Sequence, residues 1–198
     1  TDNGTTGGRV GFTATRNGKE VAGAKGELSE AGVCAPFIVN CPGIVPEGVE
    51  TDVLTDFADL LPTFVELGGG TVPEDLIIDG TSIAPVILGK KQDSERQWIM
   101  SIGGGAGKIV EGRVVGAKVF DERVIRDKQY KVWVDKQKMI TRLHDLKKDP
   151  AEENNLLNSK QKEDRKAFAK FKKIVKSFPK SDGRPLYEKR ATNSWDRK

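Results

Sequence analysis

The chain has 198 residues, 36% of them hydrophobic and 31% charged, with a formal net charge of +4 at neutral pH. That length holds one domain or two small ones, and the composition is ordinary to slightly polar for a globular protein. No apolar run approaches the roughly 20 residues that span a bilayer, and the start carries neither an initiator Met nor the basic-then-apolar pattern of a signal peptide.

Residues 1–24, rich in Gly, Thr and Asn, read as an irregular loop with a turn at Asn17-Gly18. Two features near this end carry chemistry. Asp2 and Asn3 offer a carboxylate and an amide oxygen, the ligand type of a hard cation such as Ca²⁺. Lys25, followed by Gly26, offers an ammonium for a sulfate or phosphate oxygen. Taken alone, Asp2-Asn3 is also an ordinary turn dipeptide.

The apolar run from Pro36 to Cys41, ended by Pro42-Gly43, predicts a buried strand of the parallel-sheet kind. Cys34 and Cys41 flank it. An extended segment of that length would hold their Cα atoms about 20 Å apart at roughly 3.3 Å per residue, and a disulfide needs less than about 7 Å. Two free thiols follow, with no His or Cys nearby to share a metal.

Leu54, Phe57, Leu61, Phe64 and Leu67 recur at helical spacing, with Thr51 or Asp52 as the expected cap and Gly68 as the stop. Pro62 predicts a break, or a second helix beginning just before it. Asp79-Gly80-Thr81-Ser82 reads as a turn, followed by a short piece ending at Gly89. The charged stretch from Lys90 to Arg96 marks the expected subdomain boundary.

Beyond it the pattern changes to a period of two. Segments 98–102, 113–120, 124–125, 129–134 and 140–146 predict an antiparallel meander. Asp149 to Leu156 is a polar, turn-forming stretch. From about Lys160 to Phe178 runs an amphipathic helix, with Ala167, Phe168, Phe171, Ile174, Val175 and Phe178 on one stripe and lysines elsewhere. The stripe is expected to pack on the sheet and the lysines to form a solvated face. Nucleic acid would require aromatic residues interleaved with that base, which the helix keeps on its apolar side.

Several motifs are absent. Gly103 to Lys108 is no phosphate-binding loop, because Ile102 and Ile109 stand where Gly and Ser or Thr are needed. His144 is the only histidine, and it reads as a structural or surface residue in a strand. No Gly-x-Ser-x-Gly elbow or Cys/His pair supplies an activated nucleophile.

An ordered set of segments nonetheless resembles one family. These are Thr1-Asp2-Asn3-Gly4; Lys25-Gly26 with Glu30-x-Gly32-Val33-x-x-Pro36; Cys41-Pro42-Gly43; Thr51-Asp52; Asp59-Leu60-Leu61-Pro62-Thr63; Asp79-Gly80-Thr81-Ser82; and Leu143-His144-Asp145-Leu146 with Asp149-Pro150 and Glu153-Asn154-Asn155-Leu156. In order and spacing the chain resembles the C-terminal part of a type I, formylglycine-dependent sulfatase of the alkaline phosphatase superfamily.

The resemblance implies roles. Asp2 and Asn3 match late metal ligands, for Ca²⁺ or alternatively Mg²⁺; Lys25 matches a lysine that contacts the sulfate group. Cation and ammonium together would neutralise charge on the transferring sulfuryl group. Gly26 would keep the backbone clear of a side chain near substrate. The formylglycine, made from a Cys or Ser in a Cys/Ser-x-Pro/Ala-x-Arg motif, is expected upstream of Thr1 in a longer protein, because neither Cys34 nor Cys41 fits that motif. Ala31, Cys34 and His144 depart from residues frequent in the family at those places.

The implied fold is α/β. Residues 1–92 would be the C-terminal portion of an alkaline-phosphatase-like sheet domain, and 93–198 a small antiparallel sheet with a C-terminal helix. The implied reaction is hydrolysis of aryl or carbohydrate sulfate esters, by the longer protein and not by this chain alone. A phosphoester or phosphonate hydrolase and a non-catalytic binding module are the alternatives. The expected partners are a sulfated small molecule or glycan and the N-terminal part of the same protein, with no nucleic acid and no membrane span. Periplasmic or secreted localisation follows from the resemblance only.

Overall fold

A computed structural model describes residues 13–16, 18–22, 24–103, 108–110, 113–115 and 120–180. Asp2 and Asn3 lie outside the described residues, as do the glycines at 104, 105 and 107 and the tail beyond 180.

The Gly- and Thr-rich start contains more order than its sequence predicts. Strands β1 (Thr13–Arg16) and β2 (Lys19–Ala22) form an antiparallel hairpin, with Gly18 at φ +75° in the turn. A tight turn and the short helix α1 (Glu30–Val33) follow. The expected strand over 36–41 is absent. Phe37 and Ile38 are 50% and 85% exposed, and no strand among the described residues pairs with them. A buried strand needs ladder partners on its edges, and none is present here.

The helix expected over 51–68 starts later than its cap residues suggested. A 3₁₀ turn at Phe57–Asp59 leads into α2 (Leu60–Leu67), which ends at Gly68. Its cap is Asp56, not Thr51 or Asp52. The Asp56 carboxylate accepts from the Ala58 amide and the Asp59 carboxylate accepts from the Asp56 amide, a reciprocal box that satisfies otherwise orphaned donors. Pro62 sits in the first turn of α2, where its missing N–H costs nothing. The apolar stripe points away from the described residues: Phe57, Leu61 and Phe64 are all more than half exposed.

Opposite that stripe, the face bearing Asp59 and Thr63 is fully buried. Asp59 accepts from the Thr81 amide at 2.7 Å and pairs with Arg96. The Thr63 hydroxyl donates to the Asp59 carbonyl at 2.6 Å and accepts from the Ile83 amide at 3.0 Å. A Cβ on Gly80 would stand 1.9 Å from the Ala58 carbonyl oxygen, so only glycine lets the two segments meet. These bonds seat α3 (Ala84–Ile87) against α2.

The second half is the expected antiparallel meander. Strands β3 (Ile99–Ile102), β6 (Arg123–Arg126), β7 (Tyr130–Val134) and β8 (Ile140–Asp145) lie in that order, and the hairpin of β4 (Lys108–Val110) and β5 (Arg113–Val115) intervenes between β3 and β6. The predicted strand over 113–120 is described only through Val115.

Alternation gives the sheet two different faces. Ile125, Tyr130, Val132, Val134 and Leu143 share one core with Ala167, Phe171 and Val175 of α4 (Lys162–Ser177), which covers that face as the amphipathic stripe predicted. The Tyr130 hydroxyl donates to Asp164 at 2.9 Å, and burial together with that bond pushes its phenol well above the usual range. The other face carries Arg126, Lys131 and Trp133, with His144 opposite Lys131 and Arg142 opposite Trp133 in register. His144 is buried, so the surface reading does not hold.

Candidate active site

Lys25 stands at the second position of a tight turn closed by a hydrogen bond from the Glu27 amide to the Ala24 carbonyl at 2.9 Å. Gly26, at the third position, has φ +97°. Such a turn requires a positive φ there, which glycine supplies without steric cost. A Cβ on Gly26 would meet no atom of the described chain within 4 Å, so within this chain the glycine serves the backbone conformation of the turn. Gly32 serves close packing. A Cβ there would lie 2.2 Å from the Glu27 carbonyl oxygen and 2.4 Å from that of Ala24. Lys25 is exposed at the tip of this turn.

The turn is fastened to the polar face of the sheet. Lys131 is fully buried, and its ammonium donates to the Leu28 carbonyl at 2.7 Å and to Glu152 Oε1 at 2.8 Å. It also lies 3.3 Å from the Glu30 carboxylate. Glu152 Oε1 accepts from the Glu30 amide at 2.6 Å, and Glu152 Oε2 accepts from Trp133 Nε1 at 2.7 Å. The Glu30 carboxylate, itself 1% exposed, pairs with Arg126. Two carboxylates thus face two cations in a region shielded from water, the arrangement that makes burying charge tolerable.

Glu152 reaches this place through the polar turn after β8. Asp149 accepts from the Glu153 and Asn154 amides at 3.1 and 2.8 Å. Asn155 accepts from the Leu143 and Leu157 amides and donates to the Thr141 carbonyl. Within that frame Glu152 adopts φ 59°, a left-handed conformation that costs a non-glycine residue about 1–2 kcal/mol. Burial pushes the Asp149 carboxyl up, but the two amides and His144, whose Nδ1 lies 3.5 Å away, outweigh it and hold the group below its ordinary value. These bonds frame the turn that brings Glu152 to the Lys131 ammonium.

A cleft of about 320 Å³ beside the turn is lined by Glu20, Glu30, Glu152 and Glu153 among others. Its acidic walls disfavour an oxyanion, although two of these carboxylates, Glu30 and Glu152, are paired with Arg126 and Lys131. Cys34 and Cys41 are both free and exposed. Among the described residues no group of three or more His, Cys, Asp or Glu is arranged to hold a metal ion, and no helix is long and apolar enough to cross a membrane.

The sequence singled out Lys25 but not the residues that hold its turn. Glu30 stood in a quoted motif, and Lys131 and Trp133 were read only as strand. Alternation puts Lys131, between the core residues Tyr130 and Val132, on the face of β7 away from that core, where a lysine reads as solvated, so its burial carried no signal in the sequence.

The family described as N-sulphoglucosamine sulphohydrolase, C-terminal, matches residues 25–178, from Lys25 to the last residue of the α4 stripe. An ulvan-active sulfatase from Formosa agariphila is 31% identical over 104 residues, which are 52% of this chain and 19% of that protein. The steryl-sulfatase of Rattus norvegicus is 35% identical over 77 residues, 39% of this chain and 13% of that protein. The match therefore spans about a fifth or less of these relatives' length. A solved structure from Bacteroides thetaiotaomicron, from a study of the metabolism of multiple glycosaminoglycans, has a TM-score of 0.55 at 21% identity over 75% of this chain and 32% of its own, a likeness of fold alone. The matched span, the antiparallel sheet with its C-terminal helix and the sulfatase relatives agree, and the chain belongs to the N-sulphoglucosamine sulphohydrolase C-terminal family, as the C-terminal part of a sulfatase.

Proposed function

We propose that the protein carrying this chain hydrolyses sulfate esters, with Lys25 as a residue that contacts the sulfate group. The observation that carries the reading is the family match beginning at Lys25 and running through the sheet that holds its turn. The relatives' names, ulvan-active sulfatase, steryl-sulfatase and arylsulfatase D, point to carbohydrate, steryl and aryl sulfate esters respectively. The proposed substrate class is accordingly an aryl or carbohydrate sulfate ester.

Residues 1–92 would complete a larger sheet domain together with parts of the protein outside this chain, and 93–198 would form the smaller one. The exposed Phe37, Ile38, Phe57, Leu61 and Phe64 support this division, because apolar surface of that extent normally has a partner. A formylglycine nucleophile is placed, in this reading, in a part of the protein outside this chain.

Asp2 and Asn3 are the proposed ligands of a Ca²⁺ or Mg²⁺ ion. One carboxylate and one amide oxygen fit a hard cation by donor chemistry. Such an ion would supply positive charge to the oxygens of the reacting group. The chain's own contribution is the Lys25 ammonium, a compact donor of up to three hydrogen bonds presented at the tip of a turn whose backbone is fixed. Those bonds would neutralise charge on the oxygens of the transferring sulfuryl group and so lower the barrier.

The test is turnover of an aryl sulfate and of the matching aryl phosphate by the complete protein and by its Lys25→Ala variant. The reading expects preference for the sulfate and a loss of at least tenfold on substitution. Preference for the phosphate would favour the phosphoester alternative. No turnover of either would favour a binding module, and a Lys25→Ala rate within a few-fold of the parent would remove Lys25 from the site.

A further inference from the structure

We propose that Glu152 is a positioning residue for Lys25, setting the place of the Lys25 turn through three hydrogen bonds although it lies in a distant loop. The inference deepens the reading above and rests on Lys25 contacting the sulfate group.

The chain leaving the Lys25 turn is held at two backbone groups on either side of Ser29. Lys131 binds the Leu28 carbonyl at 2.7 Å, and Glu152 binds the Glu30 amide at 2.6 Å. Glu152 also orients the holder, since the same Oε1 accepts from Lys131 at 2.8 Å while Oε2 accepts from Trp133 at 2.7 Å. Both oxygens of one carboxylate are thereby committed, and its backbone stands in a left-handed conformation to bring them there. Residues 27 to 30 admit little slack, because Gly32 packs its α-carbon against the Glu27 and Ala24 carbonyls. A shift at Glu30 is therefore passed to Ala24 and Glu27, the two ends of the turn that presents Lys25.

Stability alone does not require the arrangement. A buried ion cluster is commonly matched or exceeded in stability by well-packed apolar residues of similar volume. What apolar residues cannot supply is direction: the four bonds to Leu28, Glu30, Lys131 and Trp133 fix the height and rotation of the turn over the sheet. A sulfate contact depends on that geometry, since misplacement by about 1 Å can cost a hundredfold in rate.

The experiment is a double-mutant cycle on the complete protein with an aryl sulfate as probe, comparing Lys25→Ala, Glu152→Gln and the double variant. Glu152→Gln keeps the shape and one acceptor oxygen but loses the charge that binds Lys131. We expect kcat/KM to fall at least tenfold in Glu152→Gln, and the double variant to lie within twofold of Lys25→Ala alone. Inorganic sulfate, used as a competitive probe, should weaken by a similar factor in both single variants. Losses that multiply in the double variant would overturn the positioning role while leaving Lys25 in the site. A Lys25→Ala variant as active as the parent would overturn both readings. Should Glu152→Gln fail to fold, as judged by circular dichroism and Tm, Trp133→Phe removes one of the carboxylate's donors and keeps the ring. It should show a smaller loss that again vanishes in the Lys25→Ala background, and a loss that persists there, or none at all, would overturn the proposal.

Discussion

Lys131 Nζ lies 2.8 Å from Glu152 Oε1 with the two side chains 0% and 6% exposed, which makes the pair a buried salt bridge between a central strand and the loop that follows the sheet. Glu30 stands 3.3 Å from the same ammonium. A charge in this position is tolerable only while its partners remain.

Removing the cation should therefore be severe. Lys131→Met leaves Glu30 and Glu152 facing one another with Arg126 as the remaining close cation. A loss of about 3–5 kcal/mol is expected in urea unfolding. Combining Lys131→Met with Glu30→Gln and Glu152→Gln should recover much of it. A triple variant as unstable as Lys131→Met alone would show that the cost lies in packing and not in uncompensated charge.

Thr63 offers a smaller and cleaner case. Thr63→Val conserves volume but deprives the buried Ile83 amide of its acceptor and the Asp59 carbonyl of a donor. The expected cost is about 1–3 kcal/mol. Thr63→Ser keeps the hydroxyl and should lose less. A Ser variant as unstable as the Val variant would show that the hydrogen bonds of the hydroxyl are not what the site depends on.

Asp149 predicts a pH dependence. Its folded value is held below the ordinary 3.8, so its stabilising contribution is fully present above about pH 5 and is lost as pH falls through the folded value. Asp149→Asn keeps an oxygen acceptor for only one of the two amides, since Glu153 and Asn154 bind different carboxylate oxygens, and it cannot titrate. The stability difference between parent and variant should be constant near neutrality and shrink steadily below pH 5. A difference that grew on acidification would reverse the assigned sign.

The apolar segments without partners predict a contrast in hydrogen exchange. In the isolated chain the amides of Phe37, Ile38 and Val39 should exchange rapidly, because no strand among the described residues pairs with them. In the complete protein the same amides should be protected. Strong protection in the isolated chain would contradict the missing-partner explanation.

Much of this protein was legible in residue order alone. The period-two segments after Trp98 gave an antiparallel meander, and the stripe from Ala167 to Phe178 gave the helix that covers it, because alternation and helical spacing are local properties. The break before Pro62 followed from proline geometry, and α2 does stop at Gly68; the cysteines are free as expected, although the strand from which that was argued is absent. The cap of the 3₁₀ turn was misplaced because Thr51, Asp52 and Asp56 are all competent caps, and only the reciprocal bonds with Asp59 choose among them.

The strand over 36–41 failed for a different reason. Its apolar run describes a preference for burial, and burial also requires a neighbour. The grip on Lys25 belongs wholly to the tertiary structure: Glu30 and Glu152 are separated by 122 positions, and no spacing rule joins them. Sequence determined which face each side chain of β7 would take, and so put Lys131 on the side away from α4. Only folding decided what covers that face. A buried ammonium must be neutralised, and the carboxylates that do so arrive from opposite ends of the chain.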